Sequence, residues 1–177
     1  MRALAILMLT ALPFAAHAAG SDDTAPPVKT QTSEDCKKGE IWDEKTKLCV
    51  EPEKTGMTDD QRFLAVRELA YAGRPEDALR VLASMTEGKT DRVLTYLGFA
   101  NRKAGRLEEG LDYYAQALAQ NPRNIQARSY LGQAYVDMNE IVLASAELDQ
   151  IRLLGGAGSW AEVALARAIA TGQTTSY

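Results

Sequence analysis

The strongest constraint on this chain is a helical-hairpin pattern that recurs three times between residues 59 and 158. In the central copy, residues 91–124, two amphipathic segments are separated by Ala104-Gly105-Arg106, and Pro122 follows the second segment. Apolar side chains recur in both segments at the i, i+3, i+4 spacing of a helix. Glycine after a helical segment can take the left-handed conformation that ends a helix, and proline makes continuation unfavourable. Residues 91–124 are therefore predicted to form two consecutive helices.

The other two copies align with the central one at nearly constant offsets. Residues 59–90 match it at an offset of 32, through Gly73, Ala78, Leu82 and Met85, which precede Gly105, Gly110, Tyr114 and Ala117. Residues 125–158 match it at 34, and Asn139 stands where the other copies carry glycine. Asparagine is the next most tolerant residue of a left-handed backbone. Because one hairpin cannot bury its apolar face alone, three copies predict a short α-solenoid.

The central copy carries the spaced residues of a known repeat. Its Leu94, Leu97-Gly98, Gly105, Tyr114, Ala117 and Pro122 resemble the tetratricopeptide (TPR) repeat. The resemblance implies an all-α fold of about three TPR-like hairpins. The segment Ser159-Trp160-Ala161-Glu162 is predicted to be a capping box opening a final helix to about Ala170, similar to the capping helix that TPR arrays need for solubility. The helical domain is predicted over residues 58–172, with a tail over 173–177.

The start of the chain has the features of a secretory signal peptide, predicted over residues 1–18. Arg2 supplies the positive charge, Ala3 to Leu12 form an apolar run, and Ala16-His17-Ala18 is a small-x-small cleavage site. The apolar run is too short to span a bilayer comfortably. We therefore expect a periplasmic or secreted protein with no stable membrane anchor after signal cleavage.

Two polar segments are predicted to be linkers. Residues 19–35 contain almost no large apolar side chain and include Pro26-Pro27, so we expect a disordered linker there. Residues 51–57 form a second linker before Thr58, which with Gln61 makes a capping box for the first repeat.

Residues 36–50 form a separate small unit between these linkers. Cys36 and Cys49 are the two cysteines of the chain, and in an oxidising compartment a disulfide between them is expected. Residues 41–43 and 48–50 are predicted to pair as two short strands. A hairpin of this size cannot bury a core, so the disulfide has to stabilise it.

The cysteine, glycine, aromatic-Asp and cysteine pattern of residues 36–50 resembles part of a peritrophin-type chitin-binding module. That resemblance implies glycan binding, of a peptidoglycan or chitin-like ligand, with Trp42 stacking on a sugar ring. The alternative is that Trp42 covers its own disulfide.

Composition and motifs favour a non-catalytic protein. The net charge is −4 with no basic face or stripe, so we expect no nucleic-acid partner. The single histidine, His17, lies in the predicted signal peptide, which leaves no imidazole for general base catalysis or metal ligation. No Gly-rich phosphate loop, metal-ligand spacing or nucleophile motif is present. We expect no enzyme activity, no cofactor and no metal site.

The TPR resemblance implies a protein or peptide partner, bound along the concave face that the first helix of each hairpin lines. On this sequence that face comprises Phe63, Arg67, Arg92, Phe99, Lys103, Gln126 and Gln133. The alternative is that these are ordinary solvated helix faces. The leading hypothesis is thus an interaction adaptor or scaffold of the periplasm or cell envelope, and the alternative is glycan binding through the cysteine loop.

Overall fold

The computed structural model describes residues 25–54 and 56–174. The predicted signal peptide, residues 19–24 and the last three residues of the tail lie outside this part of the chain. In chain order the elements are α1 (Gln31–Glu34), β1 (Ile41–Asp43), β2 (Leu48–Val50), a 3₁₀ helix (Pro52–Lys54), α2 (Asp59–Tyr71), α3 (Pro75–Ala83), α4 (Asp91–Lys103), α5 (Leu107–Gln120), α6 (Ile125–Asp137), α7 (Ile141–Leu153) and α8 (Trp160–Thr171). Within the described ranges, no helix combines the length and apolarity needed to cross a bilayer.

Helices α2 to α7 form three stacked hairpins, and α8 packs against α6 and α7. This arrangement confirms the predicted all-α solenoid with its C-terminal capping helix. The hairpins turn where the sequence predicts, since Gly105 and Asn139 adopt φ values of 84° and 61°. Thr58 and Gln61 form the expected capping box at the start of α2.

The close approach of α4 and α5 depends on Gly98. A Cβ atom at Gly98 would lie 2.5 Å from ring atoms of Tyr114 and 3.0 Å from the carbonyl oxygen of Gly110. Tyr114 is fully buried, so its ring has no free space into which to move. The Gly98–Tyr114 contact that links the two helices is therefore specified by the absence of a side chain at one position.

The N-terminal hairpin is attached to the solenoid and shares its core. Strands β1 and β2 pair antiparallel with Trp42 opposite Cys49, and a disulfide joins Cys36 to Cys49 over a Cα–Cα distance of 5.4 Å. Ile41 is 1% exposed and belongs to the same apolar core as Val66 and Leu69 of α2. The disulfide-closed hairpin that the sequence predicts is therefore present, but it packs on the first repeat and is not a separate unit.

The prediction of a disordered linker over residues 19–35 is wrong for its described part. Residues 25–30 lie beside α2 without regular secondary structure, and α1 follows, with Thr32 buried. The Glu68 carboxylate accepts hydrogen bonds from the Thr30 and Ser33 amides at 2.6 and 2.9 Å. A scarcity of large apolar side chains indicates disorder only when apolar burial is what would stabilise the segment. Here the segment is held instead by hydrogen bonds between its main chain and charged side chains of the solenoid.

The linker predicted over residues 51–57 also has defined structure. Its 3₁₀ helix buries Pro52, whose carbonyl oxygen accepts a hydrogen bond from Arg62 Nε at 3.1 Å. At the other end of the chain, the described part of the tail returns to α6, because the Thr174 hydroxyl donates to an Asp137 carboxylate oxygen at 2.9 Å.

Replacement of Gly98 by alanine tests the contact between α4 and α5. The added methyl overpacks the Tyr114 site, and we expect a net loss of about 1–2 kcal/mol in the free energy of unfolding after the gain in helix propensity. Urea unfolding followed by circular dichroism measures it. The matched control is Gly56→Ala, where a Cβ meets no atom within 4 Å. Equal stability of the two variants would contradict the packing described.

Candidate functional site

The first helices of the three hairpins are joined by an aromatic cluster, which consists of Phe63 and Tyr71 of α2, Tyr96 and Phe99 of α4, and Tyr130 of α6. The Phe63 and Tyr96 rings meet edge to face at 5.2 Å, and the Tyr71 and Phe99 rings stack at 5.5 Å. The Tyr130 ring lies 4.5 Å from that of Phe99. All five side chains are buried. These packed aromatic side chains therefore occupy the concave face, where an open apolar groove would otherwise lie.

The tyrosine hydroxyls of this cluster form hydrogen bonds with one another. Tyr71 Oη lies 2.8 Å from Tyr130 Oη, and Tyr130 donates to Tyr96 Oη at 3.3 Å. Arg67 Nε donates to the same Tyr96 oxygen at 3.3 Å. Burial raises the pKa of Tyr96 to about 12 and holds the pKa of Tyr130 well above its usual value. These hydroxyls remain protonated and act as structural links between α2, α4 and α6.

The segment before α1 covers the first repeat. We call residues 25–29 the N-terminal strap. Arg67 Nη2 donates to the Ala25 carbonyl oxygen at 2.5 Å, and the Glu68 carboxylate accepts from the Thr30 amide and hydroxyl at 2.6 and 2.7 Å. Arg67 therefore connects the strap to the tyrosine hydroxyls. Two adjacent residues of α2 hold the strap and the residue that follows it.

Helix α8 covers the third repeat. Ser129 donates its hydroxyl hydrogen to the Ala161 carbonyl oxygen at 2.7 Å, and Gln133 Nε2 lies 3.4 Å from the Ser129 oxygen. At Gly132 a Cβ would approach a methyl carbon of Leu165 to 2.6 Å, so α6 and α8 are in close contact. The predicted capping helix thus occupies the surface of α6 that the sequence assigns to a partner.

The sequence places seven candidate partner-binding residues on an open face, and the structure buries five of them. Their exposed fractions are 9% or less, and they are Phe63, Arg67, Phe99, Gln126 and Gln133. Arg92 and Lys103 of α4 are half-buried. The spacing places all seven correctly on the first helices, but it does not show which surfaces the strap and α8 cover. Helical periodicity in α2 gives no signal of this burial, because charged and apolar residues are interspersed along the helix.

The two half-buried cations differ in their partners. The Arg92 guanidinium lies 4.8 Å from the Phe63 ring centroid and pairs with Asp60 and Glu87 at 2.7 and 2.9 Å. Lys103 Nζ lies 5.9 Å from the Phe99 ring centroid and makes no ion pair with a described residue. Burial, with repulsion from the neighbouring Arg102, lowers the pKa of Lys103 to about 8. Arg102 itself pairs with Asp137 at 2.6 Å.

Trp42 faces a cleft between the cysteine hairpin and α2. The cleft has a volume of about 340 Å³, and Met57 and Leu64 line it together with Trp42. Gln61, Asp43 and Lys45 supply polar groups to the same cleft. Among residues 25–54 and 56–174, no group of three or more His, Cys, Asp and Glu side chains is placed to hold a metal ion.

Comparison with protein families supports the repeat assignment. A tetratricopeptide repeat family model matches residues 102–170, which run from the end of α4 through α8. The matched segment is TPR-like, and such repeats generally mediate protein–protein interactions. The match covers less than half of the chain and includes neither the first hairpin nor residues 36–50. No curated protein and no solved structure matches this chain.

The buried tyrosines predict a specific loss of stability in alkali. Burial raises the pKa of Tyr96 and Tyr114 to about 12, whereas unfolded tyrosines ionise near pH 10. The folded state then holds more protons than the unfolded state between those pH values. The stability that the buried tyrosines contribute is therefore complete below about pH 10 and is lost as the pH rises towards 12.

Parallel alkaline titrations by tyrosinate absorbance and by circular dichroism check this expectation. The buried tyrosines should ionise together with the loss of helix. Tyr130→Phe should make the free energy of unfolding fall less steeply with pH, because it removes a buried hydroxyl whose pKa is raised in the folded state. Ionisation of every tyrosine near pH 10 with full retention of helix would show that the cluster is open to solvent.

Proposed function

We propose that this protein is a non-catalytic protein–protein interaction adaptor or scaffold of the periplasm or cell envelope. The TPR match and the three stacked hairpins support the protein-binding part of this proposal. The signal-like first 18 residues and the Cys36–Cys49 disulfide support its location, because disulfides persist in oxidising compartments.

The environment of Lys103 indicates which surface binds the partner. It belongs to α4, between the repeat that the strap covers and the repeat that α8 covers. Its ammonium lies over the Phe99 ring without a carboxylate partner among the described residues, and its pKa is lowered. A partner that supplies a carboxylate would complete the ion pair and stabilise the charged form. We therefore propose that an acidic segment of the partner protein binds at the α4 section of the concave face.

Charge reversal at Lys103 tests this proposal. Crosslinked capture from cell-envelope extract, quantified by mass spectrometry, should identify a protein partner whose yield falls about tenfold or more with Lys103→Glu. Lys89→Glu is the control, since Lys89 is exposed and lies over the Tyr113 ring, outside the concave face. Equal capture by the wild type and Lys103→Glu would contradict binding at α4.

The lowered pKa of Lys103 gives a second expected outcome with the same partner. Affinity should be full below about pH 8 and fall as the pH rises above it, because the free protein then loses the Lys103 proton that the bound carboxylate requires. Lys103→Arg keeps its charge throughout this range and should remove the pH dependence. A wild-type affinity that is constant from about pH 7 to 9 would argue against an ion pair at Lys103.

Glycan binding is the second candidate function, and the position of Trp42 favours it. The indole lines the cleft of about 340 Å³ beside polar side chains, an arrangement suited to stacking on a sugar ring. Under this function Trp42→Ala should abolish retention of the protein on chitin or peptidoglycan. Leu48→Ala, an exposed position of the paired strand, should retain it. Full retention of Trp42→Ala would eliminate this candidate.

A further inference from the structure

The N-terminal strap lies on α2 as an extended peptide lies on a receptor. The Ala25 carbonyl oxygen accepts from Arg67. Thr30, the residue that follows the strap, donates its amide and hydroxyl hydrogens to Glu68. Side chains of α2 make these contacts, and the one to the strap itself is to a backbone carbonyl, which any residue could supply. Pro26 and Pro27 keep the strap extended and supply no amide donor.

The strap does not fill the surface on which it lies. A cleft of about 340 Å³ remains between the strap and the Leu64, Arg67 and Glu68 side chains. A smaller cleft of about 80 Å³ separates Pro26 and Pro27 from Tyr71. Val28 is 83% exposed and Leu64 is 60% exposed, so apolar side chains on both walls face solvent. An extended segment with larger side chains would bury more apolar area at this place than the strap does.

The strap is attached to the fold separately from the elements that follow it. Thr30 caps α1, with its hydroxyl oxygen accepting from the Thr32 amide at 3.1 Å. Arg74 Nη1 donates to the Cys36 carbonyl oxygen at 2.8 Å and so holds the end of α1 and the start of the cysteine loop. Movement of residues 25–29 about Thr30 would break the Ala25–Arg67 hydrogen bond and leave these anchors intact.

We propose that the N-terminal strap is a resident peptide that covers a docking site on α2, and that a proline-containing extended segment of the protein partner displaces it. The partner's segment gives a carbonyl to Arg67 and places an apolar side chain in the cleft beside Leu64. This inference rests on the proposed adaptor function and adds a second contact to it. The strap then makes binding competitive, because the partner gains access only when residues 25–29 leave.

A peptide with the strap's own sequence tests the site without any partner. The probe is a fluorescent hexapeptide, Ala-Pro-Pro-Val-Lys-Thr, and the receptor is the full chain with residues 25–29 replaced by Gly-Ser-Gly-Ser-Gly. Fluorescence anisotropy should show about tenfold tighter binding to this replaced chain than to the native chain. A control peptide with both prolines changed to glycine should bind about tenfold more weakly than the probe. Equal affinity of the native and replaced chains, or no binding to either, overturns the proposal.

Leu64 gives a second variant that does not endanger folding, because its side chain is exposed. In the replaced chain, Leu64→Glu should weaken probe binding about tenfold. Leu153→Glu, at an exposed leucine of α7, is the matched control and should not change it. Binding that is indifferent to Leu64→Glu overturns the assigned site. Because no envelope protein is used, a negative result rejects the strap mechanism and leaves the Lys103 proposal to its own capture experiment.

Discussion

The buried carboxylate of Glu68 is the interaction on which the N-terminal half of this structure depends. An ionised carboxylate on a buried helix surface is costly unless hydrogen-bond donors surround it. Glu68 is buried and accepts from the Thr30 amide, the Thr30 hydroxyl and the Ser33 amide. The segment that supplies these donors is thereby fixed against α2. Helix α1 and the cysteine hairpin follow from that attachment and cover the first repeat, and Arg67 holds the strap beside them.

The concave face is closed by packed side chains. Large aromatic side chains on α2, α4 and α6 meet in one cluster, and their hydroxyls need partners once water is excluded. Tyr71, Tyr96 and Tyr130 supply most of these partners to one another, and Arg67 links the set to the strap. With α8 on the third repeat, the α4 section around Lys103 is left between two covered ends. A small array of three hairpins thus restricts the place at which a partner can bind.

Much of the fold could be predicted from local sequence patterns. The turn at Asn139 follows from its alignment with Gly105, and the Gly98–Tyr114 contact follows from one small and one large residue on facing helices. The turn is predictable because the repeats can be aligned with one another, and the contact is predictable because both residues belong to one hairpin. The pairing of β1 with β2 was likewise predictable, because two short apolar segments flank a turn inside the loop that Cys36 and Cys49 close.

The position of the strap and the burial of the candidate residues could not be predicted in this way. Arg67 and Glu68 reach residues 42 and 38 positions away along the chain, and no periodicity reports such pairs. Helical spacing shows which side chains share a face, but Gln133 is buried because α8 returns to that face from a separate segment. Low apolar content of residues 19–35 also gave no sign of main-chain hydrogen bonds to charged side chains.

The most direct test of this account is whether the N-terminal cover and the helical array unfold as one unit. In a Trp160→Phe background, Trp42 fluorescence reports on the cysteine hairpin, and circular dichroism reports on the helices. We expect the two urea transitions to coincide in midpoint and slope, as in a single cooperative unit. A fluorescence transition completed at lower urea, with helix content unchanged, would show that the hairpin unfolds independently of the solenoid and would contradict this expectation.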